Sequence, residues 1–140
     1  MTIRTAEVKD AREIKILLEQ LGYLTEEIMV QRRLEVLSSN REHMDIVYEL
    51  DHRVLGFLSL HFIPQIAFDA EYLVVSYLVV DERTRSKGVG AALEEYAVKV
   101  ARERNCRRIL LSSNARRTDA HRFYIRQGYE LYQKAFVKYL

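Results

Sequence analysis

The sequence predicts an α/β protein whose mixed, mostly antiparallel sheet of six to seven strands carries helices on both faces. Three observations support this fold class. Three strand-like runs follow one another directly between residues 45 and 80, which favours antiparallel pairing. Helices alternate with strands after residue 71. The run at residues 72–80 has no charge and is rich in β-branched and aromatic residues, which indicates a buried strand. The predicted order is β-α-α-β-β-β-α-β-α-β in a single domain, residues 1–140.

The first part of the chain is predicted to form one strand and two helices. Residues 3–5 alternate in polarity and give a short strand. In the following helix, Asp10 and Glu13 resemble a capping box, and Gly22 is a natural C-terminal cap. A second helix, whose outer face is more charged, begins after Thr25.

The rest of the chain alternates more regularly. Strands at residues 45–50 and 54–62 are separated by three polar residues, which predicts a hairpin. Beyond the strand at residues 72–80, apolar positions with helical spacing predict a long helix that ends near Asn105. The remaining predicted elements are a strand at residues 108–112, a helix at 119–127 and a final strand at 129–140.

Composition excludes several classes of function. The 140 residues carry a formal net charge of +2 with 30% charged side chains, and opposite charges are interleaved. This balance argues against a nucleic-acid partner. No apolar run approaches the roughly 20 residues of a membrane span, and no signal peptide is evident. The one cysteine, Cys106, cannot form an internal disulfide, so we expect a cytoplasmic protein.

A basic segment with two glycines lies between the strand at residues 72–80 and the long helix. The first N–H groups of a helix have no partner and attract anions, and glycine lets a phosphate approach the backbone. We therefore predict a diphosphate site here, at residues 85–91, called the glycine loop below. Two common phosphate motifs do not match: in the P-loop position the lysine precedes the glycine and no Ser or Thr follows, and the position of the third glycine of a dinucleotide fingerprint is Leu93.

The hexapeptide Arg85-Ser86-Lys87-Gly88-Val89-Gly90 resembles the Arg/Gln-x-x-Gly-x-Gly/Ala signature of GNAT acetyltransferases. A second motif lies about 25 residues further on and resembles the same family. Its matching positions are Asn114, Ala120, Phe123, Tyr124, Gly128 and Tyr129. The C-terminal third is particularly similar to aminoalkylphosphonate N-acetyltransferases, including a Phe-x-Lys-x-Leu tail at residues 136–140.

This resemblance implies an acetyl-CoA-dependent N-acetyltransferase in which an amine attacks the thioester directly. The glycine loop would bind the pyrophosphate through Arg85, Ser86, Lys87, Gly88, Val89, Gly90 and Ala91. Backbone groups of Leu78, Val79 and Val80 would align the pantetheine, with the Val80 N–H facing the thioester oxygen. Asn114 and Phe123 would also contact the cofactor. Tyr124 matches the family's acid and would protonate the leaving thiolate.

The group that accepts the amine proton stays open at the level of sequence. Many relatives have a glutamate on the strand where this chain has Ser76 and Tyr77. Glu71, His61 or a water chain are the alternatives, and His61 has a suitable ordinary pKa. The four histidines show no metal-binding spacing, so no metal site is predicted.

The acceptor is predicted to be a small primary amine. Two alternatives remain: a non-catalytic acyl-CoA-binding regulatory module, supported by the missing glutamate, and an acetyltransferase that acts on a protein amine. Four carboxylates near the expected acceptor loops favour a cationic acceptor: Glu26, Glu27, Asp69 and Glu71. The apolar residues of the final strand could also pair across a homodimer.

Overall fold

The computed structural model describes residues 1–113, 116–132 and 135–140, and within them the chain forms a five-stranded sheet. The strands are β1 (Thr2–Thr5), β2 (His43–Leu50), β3 (Arg53–Pro64), β4 (Glu71–Val80) and β5 (Arg108–Leu111). The α-helices are α1 (Ala11–Leu21), α2 (Glu27–Leu37), α3 (Val89–Glu103) and α4 (Thr118–Arg126). Contacts divide the chain into two compact units, Met1–Leu110 and Leu111–Leu140.

The strands lie in the sheet in the order in which they occur in the chain, from β1 to β5. The pairs β1–β2, β2–β3 and β3–β4 are antiparallel. The predicted hairpin between β2 and β3 is confirmed. Its two turn residues, Asp51 (φ 51°) and His52 (φ 61°), both have left-handed backbones, as in the two-residue turns whose twist matches a hairpin.

Helices cover both faces of the sheet, as predicted. On one face, α1 and α2 bury a cluster that includes Ile14, Leu17, Val47, Phe57 and Val79. On the other face, α3 packs through Leu93, whose side chain has no exposed surface. Residues of β3 therefore alternate between two apolar layers, and this explains its almost uninterrupted burial.

The predicted strand count was too high. Among the described residues there are five strands, because residues 129–132 and 135–140 have no strand structure. That segment is apolar and aromatic, which favours a strand locally, but a strand needs a hydrogen-bonded neighbour to form. Tyr132, Phe136 and Tyr139 are exposed instead.

Asp10 is the N-cap residue of α1, as predicted, but its side chain makes no capping hydrogen bond to α1, so the predicted capping box was wrong. Asp10 accepts the Glu7 N–H (2.7 Å) and two Arg4 guanidinium hydrogen bonds, so it closes a short 3-10 turn at Val8–Asp10. Glu13 accepts the Val54 N–H of β3 (2.8 Å). The two carboxylates are thus taken up by the Arg4 guanidinium and the Val54 N–H, and the sequence of the helix start does not reveal either donor. The predicted stop at Gly22 is confirmed by its left-handed φ of 107°.

Candidate active site

The connection between β4 and α3 is organised by the buried carboxylate of Asp81. The Asp81 N–H donates to the Leu55 carbonyl of β3 (2.8 Å), which holds the turn against the sheet. Asp81 Oδ1 accepts the Arg83 N–H (2.9 Å), and Arg83 Nη2 donates to Oδ2 (2.9 Å). The guanidinium hydrogen bonds hold the pKa of Asp81 below its usual value, so the carboxylate stays ionised. The residues that lead into the glycine loop are therefore anchored.

The glycine loop leaves the N-terminus of α3 without a cap. Gly88 is the N-cap residue, and its φ of 85° is in the left-handed region, where glycine has no steric penalty. The first N–H groups of a helix have no intrahelical partner, and among the described residues no side chain caps those of α3. Arg85 and Lys87 are exposed, and within the described part of the chain neither forms an ion pair. The loop therefore concentrates positive charge at a helix N-terminus.

Gly56 sets the distance between α3 and the sheet. A Cβ atom at this position of β3 would lie 2.8 Å from Leu93 Cδ1 and 3.0 Å from Val89 Cγ1. Both contacts are shorter than an ordinary carbon–carbon contact of about 3.5–4.0 Å. The absence of a side chain lets the first turns of α3 pack directly on the backbone of β3, which positions the glycine loop.

The last residues of β4, after Ser76, have no β5 residue beside them. The Arg107 N–H donates to the Glu71 carbonyl (2.8 Å), so β5 begins beside the start of β4. Since β5 has only four residues and β4 has ten, β5 ends well short of Leu78. Leu78, Val79 and Val80 pair on their other side with β3.

Phe123 and Tyr124 lie on α4, in the Leu111–Leu140 unit, whereas Leu78–Val80 and the glycine loop belong to the Met1–Leu110 unit. The two rings make an edge contact with centroids 5.5 Å apart, and Tyr124 also contacts Tyr129 at 5.8 Å. Burial raises the pKa of the Tyr124 phenol, while Arg117 acts in the opposite direction. The phenol is therefore protonated at neutral pH. Asn114 lies outside the described residues.

A cavity of about 480 Å³ opens in the Met1–Leu110 unit between α1, α2 and the β2–β4 face of the sheet. Its volume is typical of a small-molecule site. Tyr77 forms part of an aromatic wall, with an edge contact to Tyr23 (5.3 Å) and a stacked contact to Phe57 (6.5 Å). The helices supply the apolar wall through Ile14, Leu18, Met29, Val30, Leu34 and Leu37.

A β-bulge in β4 shapes this cavity. Ser59 pairs with Tyr77, and the next residue, Leu60, pairs with Val75, so Ser76 has no partner in β3. Consecutive residues of a regular strand face opposite sides of a sheet, but Ser76 and Tyr77 both line the cavity. The bulge therefore bends β4 beside the cavity, immediately before Leu78.

Three of the polar side chains that line the cavity, Asp45, His43 and His61, are hydrogen-bonded to one another. His43 and His61 are directly opposite each other on β2 and β3, and their Nδ1 atoms are 3.2 Å apart. His43 Nε2 is 2.7 Å from Asp45 Oδ2. The His43 side chain is 3% exposed and that of Asp45 is 12% exposed. Burial, helped by the neighbouring His43, lowers the pKa of His61, while Asp45 acts to raise it.

Glu71, another candidate for the base, is held elsewhere. Arg104 donates to both of its carboxylate oxygens at 3.1 Å, and these hydrogen bonds lower the pKa of Glu71. Glu71 does not line the cavity, nor do Glu26, Glu27 and Asp69; the charged lining residues are Arg33 and Asp45. The structure therefore gives no support to the predicted cationic acceptor.

Sequence reasoning missed His43 and Asp45 because neither belongs to a motif. A detectable signal existed: His43 and Asp45 are two residues apart, so they share one strand face with the apolar Val47. Among the described residues no group of three or more His, Cys, Asp or Glu side chains is arranged to hold a metal ion. In the same part of the chain, every helix is too short or too polar to cross a bilayer.

Comparison with known proteins gives a consistent result. The sequence model of the acetyltransferase (GNAT) family matches residues 12–129. The chain is also similar to the aminoalkylphosphonate N-acetyltransferase of Salmonella typhimurium, with 30% identity over 141 residues that cover 99% of this chain and 90% of that protein.

Solved structures share the fold. A transcriptional regulator from Bacillus halodurans C-125 superposes with a TM-score of 0.90 at 22% identity, covering 99% of both chains. Glucosamine-6-phosphate N-acetyltransferase from Arabidopsis thaliana superposes with a TM-score of 0.84 at 23% identity, covering 99% of this chain and 97% of that one. At such identities these two likenesses concern the fold alone.

Proposed function

The chain belongs to the GNAT acetyltransferase family and is an acyltransferase, and we propose that it transfers the acetyl group of acetyl-CoA directly to a primary amine of a small molecule. The observation that carries this proposal is the uncapped N-terminus of α3 behind the glycine loop. In this proposal the whole chain, residues 1–140, acts as one catalytic domain.

The pyrophosphate of acetyl-CoA binds at the glycine loop. The first N–H groups of α3, at Val89, Gly90 and Ala91, donate to phosphate oxygens, and the helix dipole favours the charge of those oxygens. Arg85 and Lys87 neutralise the remaining charge, since neither guanidinium nor ammonium is engaged in an ion pair within the described residues. Ser86 and Gly88 give the loop its left-handed turn (φ 67° and 85°).

The pantetheine arm aligns along the edge of β4 at Leu78, Val79 and Val80. Support for this comes from the shortness of β5, which leaves that edge available for an extended ligand to hydrogen-bond like an added strand. The Val80 N–H then faces the thioester oxygen and stabilises the negative charge of the tetrahedral intermediate. Phe123 and Asn114 complete the cofactor site in this proposal.

Tyr124 protonates the thiolate of CoA when the C–S bond breaks. The raised pKa of its phenol supports this role, because an acid must carry its proton before the reaction. A non-catalytic binding module would not need such a group.

The acceptor binds in the cavity between α1, α2 and the sheet. The cavity adjoins β4 at Ser76 and Tyr77, directly before the proposed pantetheine edge at Leu78–Val80. Its volume suits a small molecule better than a folded protein. Because the Salmonella relative is an aminoalkylphosphonate N-acetyltransferase, aminoalkylphosphonates are the first acceptors to test, with Arg33 as the lining cation that could meet an anionic group.

Release of free thiol from acetyl-CoA, measured against a panel of amines, tests the proposal. The panel contains aminoalkylphosphonates, polyamines, aminoglycosides, amino acids and an N-terminal peptide. Turnover with a small amine supports the proposal, turnover with the peptide alone supports a protein acceptor, and tight acetyl-CoA binding without turnover supports a binding module.

The acid is tested with Tyr124→Phe, which removes only the phenolic oxygen. We expect kcat to fall about 100-fold or more while the Kd for acetyl-CoA is unchanged. Tyr139→Phe, at an exposed tyrosine, is the matched control and should retain full activity. Unchanged kcat in Tyr124→Phe would refute the assignment.

A further inference from the structure

Asp45, His43 and His61 form a hydrogen-bonded chain of polar side chains at a place where the fold would be expected to have apolar ones. It lies on the face of the sheet that α1 and α2 otherwise cover with apolar side chains, and all three residues line the cavity. Burying imidazole and carboxylate groups is costly unless they are paired, and side chains that only fill space on this face would be apolar. The inference below rests on the proposed function, and assigns these three residues a part in it.

The hydrogen bonds between Asp45 and His43 and between His43 and His61 determine which imidazole nitrogen of each histidine carries a proton. An ionised Asp45 can only accept, so the 2.7 Å contact places a proton on His43 Nε2. In neutral His43 the other nitrogen, Nδ1, is then a bare acceptor. The 3.2 Å contact between the two Nδ1 atoms consequently requires the proton on His61 Nδ1. This leaves His61 Nε2 unprotonated, and among the described residues it has no hydrogen-bond partner.

We propose that His61 is the catalytic residue that accepts the proton of the attacking amine, and that His43 and Asp45 are positioning residues that keep its Nε2 unprotonated. As the amine nitrogen forms a bond to the acetyl carbon, its N–H becomes acidic and the proton passes through cavity water to His61 Nε2, because His61 pairs with Val74 whereas Val80 pairs with Gly56, further along β3. The C–S bond then breaks and the thiolate takes a proton from Tyr124. The products are the N-acetyl amine and CoA thiol, and solvent restores both side chains.

The second imidazole, that of His43, can take up the positive charge that the accepted proton brings. Once Nε2 of His61 is protonated, its Nδ1 proton can move to His43 Nδ1 across the 3.2 Å hydrogen bond. The positive charge then lies on His43, next to the Asp45 carboxylate at 2.7 Å. The charge then has a carboxylate beside it, which lowers the energy of the protonated state.

The surroundings of His61 favour its neutral form before the reaction. The titratable and charged groups that line the same cavity are His43 and Asp45 from β2, Tyr77 from β4, and Tyr23 and Arg33 from the helical side. Burial and His43 lower the pKa of His61, so the imidazole is uncharged at pH 7. The apolar walls also favour an amine that arrives neutral.

The test replaces His61 with asparagine. The asparagine amide nitrogen is in the position of imidazole Nδ1, so it can still donate to His43, while the basic Nε2 is lost. We expect kcat/KM for the amine to fall about 100-fold or more, with the Kd for acetyl-CoA unchanged. His52→Asn is the matched control, because His52 is exposed in the hairpin turn and asparagine tolerates its φ of 61°. It should keep wild-type activity.

The pH profile separates a base from a structural histidine. Corrected for ionisation of the amine, kcat/KM of the wild type should rise with pH along a limb whose apparent pKa is below the ordinary histidine value of 6.5. Asp45→Asn removes a charge that raises this pKa, so its limb should shift to lower pH and its plateau should fall. Glu71→Gln should leave the limb in place, since Arg104 already holds that carboxylate.

The outcomes distinguish the inference from the proposed function. If the wild type turns over and His61→Asn has the same kcat/KM and the same limb, the inference is wrong while the acetyltransferase activity stands. If the wild type binds acetyl-CoA but acetylates no amine, the proposed function is wrong and the inference falls with it. If His61→Asn does not fold, the wild-type and Asp45→Asn profiles decide, and a flat or unshifted limb overturns the inference.

Discussion

A methyl group at Gly56 should disturb the glycine loop by pushing the first turns of α3 away from the sheet. In Gly56→Ala the new Cβ would lie 2.8 Å from Leu93 Cδ1 and 3.0 Å from Val89 Cγ1. Since carbon atoms normally pack at about 3.5–4.0 Å, α3 must move outward by roughly half an ångström or more. Leu93 has no exposed surface, so its side chain cannot rotate into solvent to relieve the contact.

The expected cost follows from two opposing effects. Overpacking of a core costs about 1–3 kcal/mol. Replacing glycine by alanine recovers about 0.4–1 kcal/mol, because the unfolded chain becomes less flexible. The net loss of unfolding free energy is therefore about 1–2 kcal/mol, which corresponds to a Tm decrease of about 3–7 °C for a chain of this length. Displacement of the N-terminus of α3 should also weaken acetyl-CoA binding several-fold.

A double-mutant cycle with Leu93→Ala isolates the contact. Leu93→Ala alone should cost about 2–5 kcal/mol, because it leaves a cavity in the core. In the double variant the alanine methyl at position 56 occupies part of that space, so the combined loss should be smaller than the sum of the single losses. Unfolding in denaturant measures all four proteins. Strict additivity, or unchanged acetyl-CoA affinity in Gly56→Ala, would refute the reasoning.

Two further predictions concern backbone strain and a buried ion pair. Gly88→Ala and Gly22→Ala both place a Cβ in open space at a left-handed φ (85° and 107°), so each should lose about 1 kcal/mol of unfolding free energy. Only Gly88→Ala should weaken acetyl-CoA binding by calorimetry, and equal effects of both on binding would contradict a role for the glycine loop. Arg4→Met removes the guanidinium that donates to Asp10 at 2.8 and 2.9 Å, and it should cost about 3 kcal/mol because the Asp10 carboxylate stays buried. Burial alone would raise the pKa of Asp10, but the hydrogen bonds from Arg4 and Glu7 hold it below 3.8. The wild type should therefore lose this stabilisation as the pH falls through that depressed pKa, and Arg4→Met should show a flatter acid limb in unfolding experiments; a parallel limb would show that Arg4 is not the cause.

Much of the fold could be predicted because local sequence and final structure agree. The hairpin residues Asp51 and His52 tolerate left-handed backbones, and Gly22 ends α1 where a helix cannot continue without cost. The segment after Gly128 is different. Its aromatic residues favour a strand, but pairing depends on a neighbour that the local sequence cannot specify, and the described residues 129–132 and 135–140 form none.

The candidate site was predictable only where residues adjacent in sequence act together. The glycine loop is one continuous segment, so its residues and their position before α3 could be predicted from sequence. His43 and His61 are 18 residues apart and meet through the register of β2 and β3. That register contains an irregularity at Tyr48, which periodicity does not reveal. The cavity itself depends on the bulge at Ser76, a one-residue insertion that has no composition signal.

The agreement between sheet order and chain order has a consequence for how the protein folds. The two-residue turn at Asp51 and His52 closes β2 on β3 with little loss of loop entropy, and β4 follows after a short connection. By contrast, β1 pairs Ile3 with Tyr48, so the intervening chain, including α1 and α2, must close a long loop first. The β2–β4 meander is therefore the expected folding nucleus, with β1 and its helices docking later. On that order, substitutions in the hairpin slow folding, whereas those at Arg4 mainly speed unfolding.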